Sequence, residues 1–149
     1  MPDFLQTVGD RVVIYDGAMG TNIQFHHPSV DDFWGKEGCN ELLVLGRPEI
    51  IKDIHAEFFQ VVCDVVETNT FGATRVVLAE HDLQDKVAKI NIAAAKIAKE
   101  VAQQFSMKDK PRFVAGSIGP TTKLRIFCKR KLRSWAFSTL CRPQESACR

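Results

Sequence analysis

Short apolar runs and longer helical periods alternate along the first 124 residues. Strand candidates built on short apolar runs lie at residues 12–15, 64–67 and 113–115, and each leads into acidic, polar or glycine residues. Continuous apolar runs of this length are typical of strands that are covered on both faces. Because the segments between them are long enough to hold a helix, we expect three parallel strands in an α/β fold.

Two long helices are predicted between these strands. The first begins at Pro48, because proline suits the first helical position. Its apolar face consists of Ile51, Ile54, His55, Phe58 and Val62. The second carries apolar residues at steps of three and four, namely Val87, Ile90, Ala94, Ile97, Val101 and Phe105. We expect a shorter helix at residues 73–79, and we expect His55 to be packed and hydrogen-bonded rather than a base.

Two features depart from this regular pattern. Residues 22–45 form a long irregular stretch, in which residues 42–45 are either a short strand or the approach to the next helix. Val62 stands where the first long helix turns into its strand. Glycine is favoured there because it adopts the left-handed conformation at little cost, whereas a β-branched residue is strained.

Composition places the chain among ordinary globular proteins. The 149 residues are 45% hydrophobic and 26% charged, which is enough for one domain with a core. No apolar run approaches the roughly 18–20 residues that span a bilayer, and the first residues do not resemble a secretory signal. The five cysteines show no tight pairing pattern, which predicts reduced thiols and a cytoplasmic location.

The net charge of +2 divides the chain into two parts. Residues 1–124 hold 13 basic and 17 acidic residues, whereas residues 125–149 hold 7 basic residues and one acid. The acidic body does not indicate a nucleic-acid surface. We therefore predict a domain at residues 1–124 and a disordered basic tail at residues 125–149. The tail is either an aberrant end or a basic segment that binds nucleic acid or anionic lipid through residues 129–133.

Polar groups gather at the predicted carboxyl ends of the strands, where residues 16–21, 67–71 and 116–120 are expected to surround one opening. In parallel sheets and barrels, ligands bind beyond these ends. The candidate site residues are Asp16, Gly17, Ala18, Met19, Glu67 and Asn69. An acid beside a glycine turn with open backbone amides suits a small zwitterion such as an amino acid. The competing interpretation is plain turn chemistry, in which Gly17 and Gly20 only supply positive φ.

Four motifs in register resemble a known family. Residues 16–21 (Asp-Gly-Ala-Met-Gly-Thr), 40–45 (Asn-Glu-Leu-Leu-Val-Leu), 67–71 (Glu-Thr-Asn-Thr-Phe) and 116–120 (Gly-Ser-Ile-Gly-Pro) occur in this order. Together they resemble the start of the homocysteine-binding module of the homocysteine S-methyltransferase family, in its cobalamin-dependent, methionine synthase branch. The resemblance covers about residues 10–124, and the betaine and S-methylmethionine branches remain alternatives.

The resemblance implies a fold, a substrate and cofactors. It implies a partial (β/α)8 TIM-type barrel, about the first three β/α units, that binds homocysteine at its open end. Asp16 would take the substrate amino group, and the amides of Gly17, Ala18 and Met19 would take its carboxylate. Glu67 and Asn69 would shape the opening. The family also implies zinc held by three cysteine thiolates, methylcobalamin as the methyl donor, and folate and cobalamin domains in full-length relatives.

The cysteines of this chain do not match the family's zinc ligands. Cys39 and Cys63 fall at other positions, and the tail cysteines Cys128, Cys141 and Cys148 lack a paired spacing. We therefore predict no catalytic residue and no metal site in this chain. The expectation is a non-catalytic fragment of a homocysteine S-methyltransferase. The alternative is an α/β binding or dimerisation module with a basic tail.

Overall fold

The computed structural model describes residues 3–121 of the 149-residue chain. The predicted boundary at Leu124, the basic tail and its three cysteines lie outside the described residues. The helices are α1 (Phe4–Asp10), α2 (Met19–Phe25), α3 (Leu43–Gly46), α4 (Pro48–Gln60), α5 (Arg75–Leu78) and α6 (Val87–Phe105). The strands are β1 (Val65–Glu67) and β2 (Phe113–Ala115). Short 3-10 turns lie at Val30–Phe33, Asn40–Leu42, Ala79–His81 and Gln84–Lys86.

β1 and β2 form a two-stranded parallel sheet in which Val66 is paired with Val114. On the other side of β1, the segment Ile14–Asp16 adds a single parallel bridge between Tyr15 and Val65. The spatial order is therefore this segment, then β1, then β2. Along the chain, α4 lies between this segment and β1, and α6 lies between β1 and β2. The prediction of parallel strands joined by helical crossovers is therefore confirmed for the described residues.

The prediction of a regular strand at residues 12–15 was wrong, because only Tyr15 forms a bridge. The Ile14 amide donates to the Asp64 carboxylate at 3.0 Å instead of to a backbone carbonyl. Arg11 donates to the same carboxylate, with both N···O distances at 2.8 Å. Because the Asp64 side chain takes the place of a backbone partner, the pairing between this segment and β1 is limited to one bridge.

The core lies between the helices and the sheet. α4 packs on α6, and both contact β1. The predicted apolar faces are largely confirmed, since Ile51, Ile54, Ile90 and Ala94 are fully buried. Burial of these side chains supplies the main driving force for folding.

His55 is the unusual member of the core. It is fully buried on α4, and neither ring nitrogen has a hydrogen-bond partner among the described residues. The expected hydrogen bond was therefore wrong. Burial lowers the pKa of His55 to about 4, because the charged imidazolium is disfavoured away from water. The ring is therefore neutral at pH 7.

The long irregular stretch is more ordered than predicted. α2 extends to Phe25, and two 3-10 turns lead into α3, so residues 42–45 are helical rather than a strand. The predicted short helix at residues 73–79 is confirmed over Arg75–Leu78. α1 was not predicted; its amino end is capped by Asp3, whose carboxylate accepts from the Leu5 amide at 2.8 Å.

Val62 adopts the left-handed conformation, as expected from its place between α4 and β1. Its φ is +72°, and its side chain is exposed rather than on the apolar face of α4. We expect Val62→Gly to raise the free energy of unfolding by about 1 kcal/mol, because glycine relieves the left-handed strain. Urea unfolding checks this result.

The neighbouring Val61 provides a matched control. It is also exposed, but its φ is −82°. Val61→Gly should therefore lower the unfolding free energy by about 0.5–1 kcal/mol through the greater freedom of the unfolded chain. Equal losses in both variants would contradict the assignment of strain to Val62.

Within residues 3–121, every helix is too short or too polar to cross a lipid bilayer.

Candidate functional site

A cavity of about 330 Å³ opens at the carboxyl ends of β1 and β2, beside the end of the segment Ile14–Asp16. We call this cavity the mouth. The six predicted site residues all line it: Asp16, Gly17, Ala18, Met19, Glu67 and Asn69. The other lining residues are Gly20, Asn40, Glu41, Thr68, Phe71 and Ser117. The structure thus brings the predicted residues together, as strand tips of one parallel layer should be.

Asp16 ties the first segment to β1 and presents a carboxylate to the mouth. Both of its carboxylate oxygens accept from the Glu67 amide at 3.0 Å. Burial, and to a lesser extent the nearby charge of Glu67, raise the pKa of Asp16 to about 6 against the lowering effect of the Glu67 amide. A carboxylate has about four lone-pair sites, so Asp16 keeps acceptor capacity for a ligand.

Gly17, Ala18 and Met19 line the mouth directly after Asp16. α2 begins at Met19, and its N-cap residue Ala18 offers no side-chain hydrogen bond. Among residues 3–121, these three amides donate no hydrogen bond. They therefore remain open to an acceptor such as a carboxylate.

The turn itself differs from the competing interpretation. Positive φ occurs at Ala18, with φ +52°, and not at Gly17 or Gly20. The expected role of the two glycines in supplying positive φ was therefore wrong. A left-handed alanine is uncommon and costs energy, and such strain is concentrated at functional sites.

A network of side chains joins the tips of β1 and β2. Glu67 accepts from the Ser117 hydroxyl at 3.0 Å, and Ser117 donates its amide to Thr68 Oγ1 at 3.1 Å. The side-chain nitrogen Nδ2 of Asn69 donates to the backbone carbonyl of Asn40 at 2.8 Å. These bonds fix Glu67 and Asn69 relative to neighbouring elements, so the mouth is held in shape by the protein itself.

Sequence reasoning placed residues 16–21, 67–71 and 116–120 around one opening, but it missed Asn40 and Glu41 of the mouth. Glu41 accepts from the Gly72 amide at 2.7 Å, and a Cβ at Gly72 would come within 2.7 Å of that carboxylate. Phe71 lies against Gly119, where a Cβ would come within 2.6 Å of the ring. Glu41 belongs to the motif at residues 40–45, but nothing in the spacing of that motif indicates that it reaches this cavity.

The electrostatic character of the mouth is acidic. Asp16, Glu41 and Glu67 line it, and no lysine or arginine within the described part of the chain does so. A site with this charge favours a ligand that carries a cationic group. The open amides of residues 17–19 supply a complementary partner for an anionic group.

The described cysteines do not fit a zinc site. Cys39 is buried, and burial together with the charge of Glu41 raises its thiol pKa to about 11. Cys63 is buried at the amino end of β1, which is the end away from the mouth, and burial raises the pKa of its thiol also. Both effects disfavour the thiolate that zinc requires. Residues 3–121 contain no group of three or more histidine, cysteine or acidic residues that could hold a metal ion.

The fold and the mouth define an α/β protein with a polar cavity at the carboxyl ends of parallel strands. The family model for homocysteine S-methyltransferase matches residues 13–139, and the chain belongs to the homocysteine S-methyltransferase family. This match runs past Leu124, and the domain boundary placed there stays a prediction.

Two curated relatives are similar over 122 residues. The chain is 43% identical to methionine synthase of Mycobacterium leprae and 42% identical to methionine synthase of Mycobacterium tuberculosis. Each match covers 82% of this chain and 10% of the relative. The chain therefore spans about a tenth of the length of these relatives.

Solved structures show a similar fold. The metallated form of the homocysteine methyltransferase MmuM from Escherichia coli matches with a TM-score of 0.63 at 20% identity, covering 78% of this chain and 41% of that one. The oxidised form matches with a TM-score of 0.64 at 20% identity, covering 80% of this chain and 41% of that one. At this identity the likeness shows the fold alone.

Proposed function

We propose that this chain is the amino-acid-binding part of a homocysteine S-methyltransferase of the methionine synthase type, and that its mouth binds L-homocysteine. The observation that carries the proposal is the grouping of Asp16, Glu67 and the open amides of residues 17–19 in one cavity. Family membership and the similarity to two methionine synthases support homocysteine as the ligand.

Each end of the amino acid has a partner in this arrangement. The ammonium group lies at Asp16, near the second carboxylate of Glu67. The ligand carboxylate accepts from the amides of Gly17, Ala18 and Met19. Charge-assisted hydrogen bonds of this kind are roughly twice as strong as neutral ones. The thiol end of the ligand then points away from the strand tips, with Asn69 shaping the wall beside it.

The proposed architecture is the first part of a (β/α)8 barrel of the TIM type. Support comes from the parallel order of the first segment, β1 and β2, and from the TM-score against MmuM. The segment at residues 12–16, β1 and β2 would be the first three barrel strands. In such barrels the ligand site lies at the carboxyl ends of the strands, which is where the mouth lies.

We further propose that the chain does not catalyse methyl transfer by itself. Zinc and methylcobalamin are expectations for the family, as are the folate and cobalamin domains of full-length relatives. The cysteines described above do not gather into a thiolate set, so no step of methyl transfer is assigned to the described residues. No finding favours the alternative of a binding or dimerisation module, and a cytoplasmic location stays a prediction.

Titration of the full 149-residue chain with L-homocysteine under reducing conditions tests the binding proposal. We expect two-dimensional NMR to show saturable shifts at the amides of Gly17, Ala18 and Met19. N-acetyl-homocysteine lacks the ammonium and homocysteine methyl ester lacks the carboxylate, so each should bind at least tenfold more weakly. Equal binding of all three compounds, or shifts confined to other residues, would refute the proposed site.

A further inference from the structure

The Glu41 carboxylate lies between two groups of the protein itself. Its Oε1 atom accepts from the Gly72 amide at 2.7 Å, and its Oε2 atom lies 3.9 Å from Sγ of the buried Cys39. Gly72 is buried as well. A buried backbone amide needs a partner, because without one it loses the hydrogen bond that water would provide. The Glu41 carboxylate therefore has a role within the protein before any ligand binds.

Glu41 is attached to a rigid part of the fold. It belongs to the 3-10 turn Asn40–Leu42, which leads directly into α3. Leu42 and Leu43 are fully buried, and so is Cys39. Because residues on both sides of Glu41 are packed in the core, its backbone has little freedom to move. The long stretch at residues 22–45 thus ends in a fixed support beside the mouth.

The segment at residues 69–72 follows β1 and lines the cavity, and we call it the mouth loop. Two hydrogen bonds join it to the turn that carries Glu41. Nδ2 of Asn69 donates to the Asn40 carbonyl at 2.8 Å, and the Gly72 amide donates to Glu41. A third bond, between backbone groups, ties the mouth loop to the segment after β2. The shape of the mouth loop therefore depends on contacts with two other parts of the chain.

We propose that Glu41 is a positioning residue for homocysteine binding, whose carboxylate holds the mouth loop in the shape that accepts the ligand and does not itself bind the ligand ammonium. The inference rests on the proposed function, which places homocysteine in this cavity. The two oxygens of Asp16 share one amide donor, whereas each oxygen of Glu41 faces a group of its own. Asp16 therefore keeps more acceptor capacity for the ammonium.

Gly72 matches this role because it leaves room for the carboxylate. A Cβ at Gly72 would lie 2.7 Å from Glu41 Oε1 and 3.3 Å from a methyl group of Val77. The φ of Gly72 is not positive, so alanine can adopt its backbone conformation. Gly72→Ala should therefore displace the carboxylate but keep its charge in the protein. Glu41→Gln does the reverse, since glutamine keeps an oxygen acceptor for the Gly72 amide and loses the charge.

NMR titration of the full 149-residue chain with L-homocysteine compares these variants with the wild type. We expect Gly72→Ala and Glu41→Ala each to weaken binding at least about tenfold, because the mouth loop loses its support. Glu41→Gln should weaken binding only about two- to threefold, through the loss of a long-range charge. Glu37→Gln and Gly9→Ala are the matched controls. Glu37 is exposed outside the mouth, and a Cβ at Gly9 meets no atom within 4 Å.

Hydrogen exchange provides a second measurement that does not need the ligand. The Gly72 amide should be protected in the wild type and in Glu41→Gln, and it should exchange at least about tenfold faster in Glu41→Ala. Urea unfolding of each variant shows whether it is folded under the titration conditions. If Glu41→Ala does not fold, the comparison of Glu41→Gln with Gly72→Ala still decides between the hydrogen bond and the charge.

Three results would overturn the inference. Equal losses of binding in Glu41→Gln and Glu41→Ala would show that the charge binds the ligand. Unchanged binding in Gly72→Ala would show that the position of the carboxylate is unimportant. Fast exchange of the Gly72 amide in the wild type would show that Glu41 does not hold the mouth loop.

The proposed function and the role of Glu41 fail separately. If the wild-type chain does not bind homocysteine, but the Gly72 amide is protected only where residue 41 offers an acceptor, the result counts against the proposed function. The hold of Glu41 on the mouth loop is then still supported. Homocysteine binding that survives in Glu41→Ala and Gly72→Ala counts against the role of Glu41 alone.

Discussion

Replacing Asp16 with asparagine is expected to weaken homocysteine binding by about 10- to 100-fold. A hydrogen bond to a charged group contributes about 1.5–3 kcal/mol, and every 1.4 kcal/mol corresponds to a tenfold change in affinity. Asparagine keeps the size of the side chain but removes the negative charge opposite the ligand ammonium. NMR titration of both proteins measures the ratio, and Asp53→Asn, an exposed substitution on α4, is the control.

The pH dependence of binding makes this prediction sharper. The pKa of Asp16 is raised to about 6, so the carboxylate is ionised above that pH and protonated below it. Affinity for the cationic amino group should therefore be level near pH 7–8 and fall as the pH drops through about 6, approaching tenfold per pH unit below it. The charge of Glu67 raises the pKa of Asp16, so Glu67→Gln should move this midpoint to lower pH. A profile that Asp16→Asn leaves unchanged would show that another group controls binding.

The sequence was sufficient to predict the long helices and most of the residues that line the mouth. α4 and α6 carry apolar residues at a clear helical period, and this period survives in the buried positions Ile54, Ile90 and Ala94. Asp16 and Glu67 were found because both follow an apolar run, and parallel strands place such positions at one edge. These inferences depend only on local pattern and on one topological rule.

Features that depend on contacts between distant residues could not be predicted. Residues 12–15 do not form a regular strand, because the Ile14 amide donates to the side chain of Asp64, which lies fifty residues further along the chain. The left-handed residue of the mouth turn is Ala18 rather than a glycine, which composition alone does not reveal. The start of α1, in contrast, could have been predicted from the sequence, because an aspartate such as Asp3 is a favoured N-cap residue.

Loss of the Asp64 carboxylate is the second large effect that we expect. Its side chain is 3% exposed and accepts three hydrogen bonds, two from Arg11 at 2.8 Å and one from the Ile14 amide at 3.0 Å. Asp64→Ala should lower the free energy of unfolding by about 2–4 kcal/mol, because a buried carboxylate that holds a backbone amide and a guanidinium is removed. Glu100→Ala, which breaks the exposed pair with Lys52, should change the unfolding free energy little.

Unfolding measured at acid pH distinguishes the loss of the Asp64 charge from a simple loss of packing. The Arg11 hydrogen bonds hold the pKa of Asp64 below its usual value. A lowered pKa contributes stability that is fully present above the unfolded pKa of about 3.9 and is lost as the pH falls through the folded value. The difference in urea unfolding between wild type and Asp64→Ala should accordingly be constant near neutral pH and shrink below about pH 4. A difference that stays constant into strong acid would show that packing, not the charge, accounts for the loss. Because Asp64 also positions the segment that carries Asp16, the same variant should bind homocysteine more weakly.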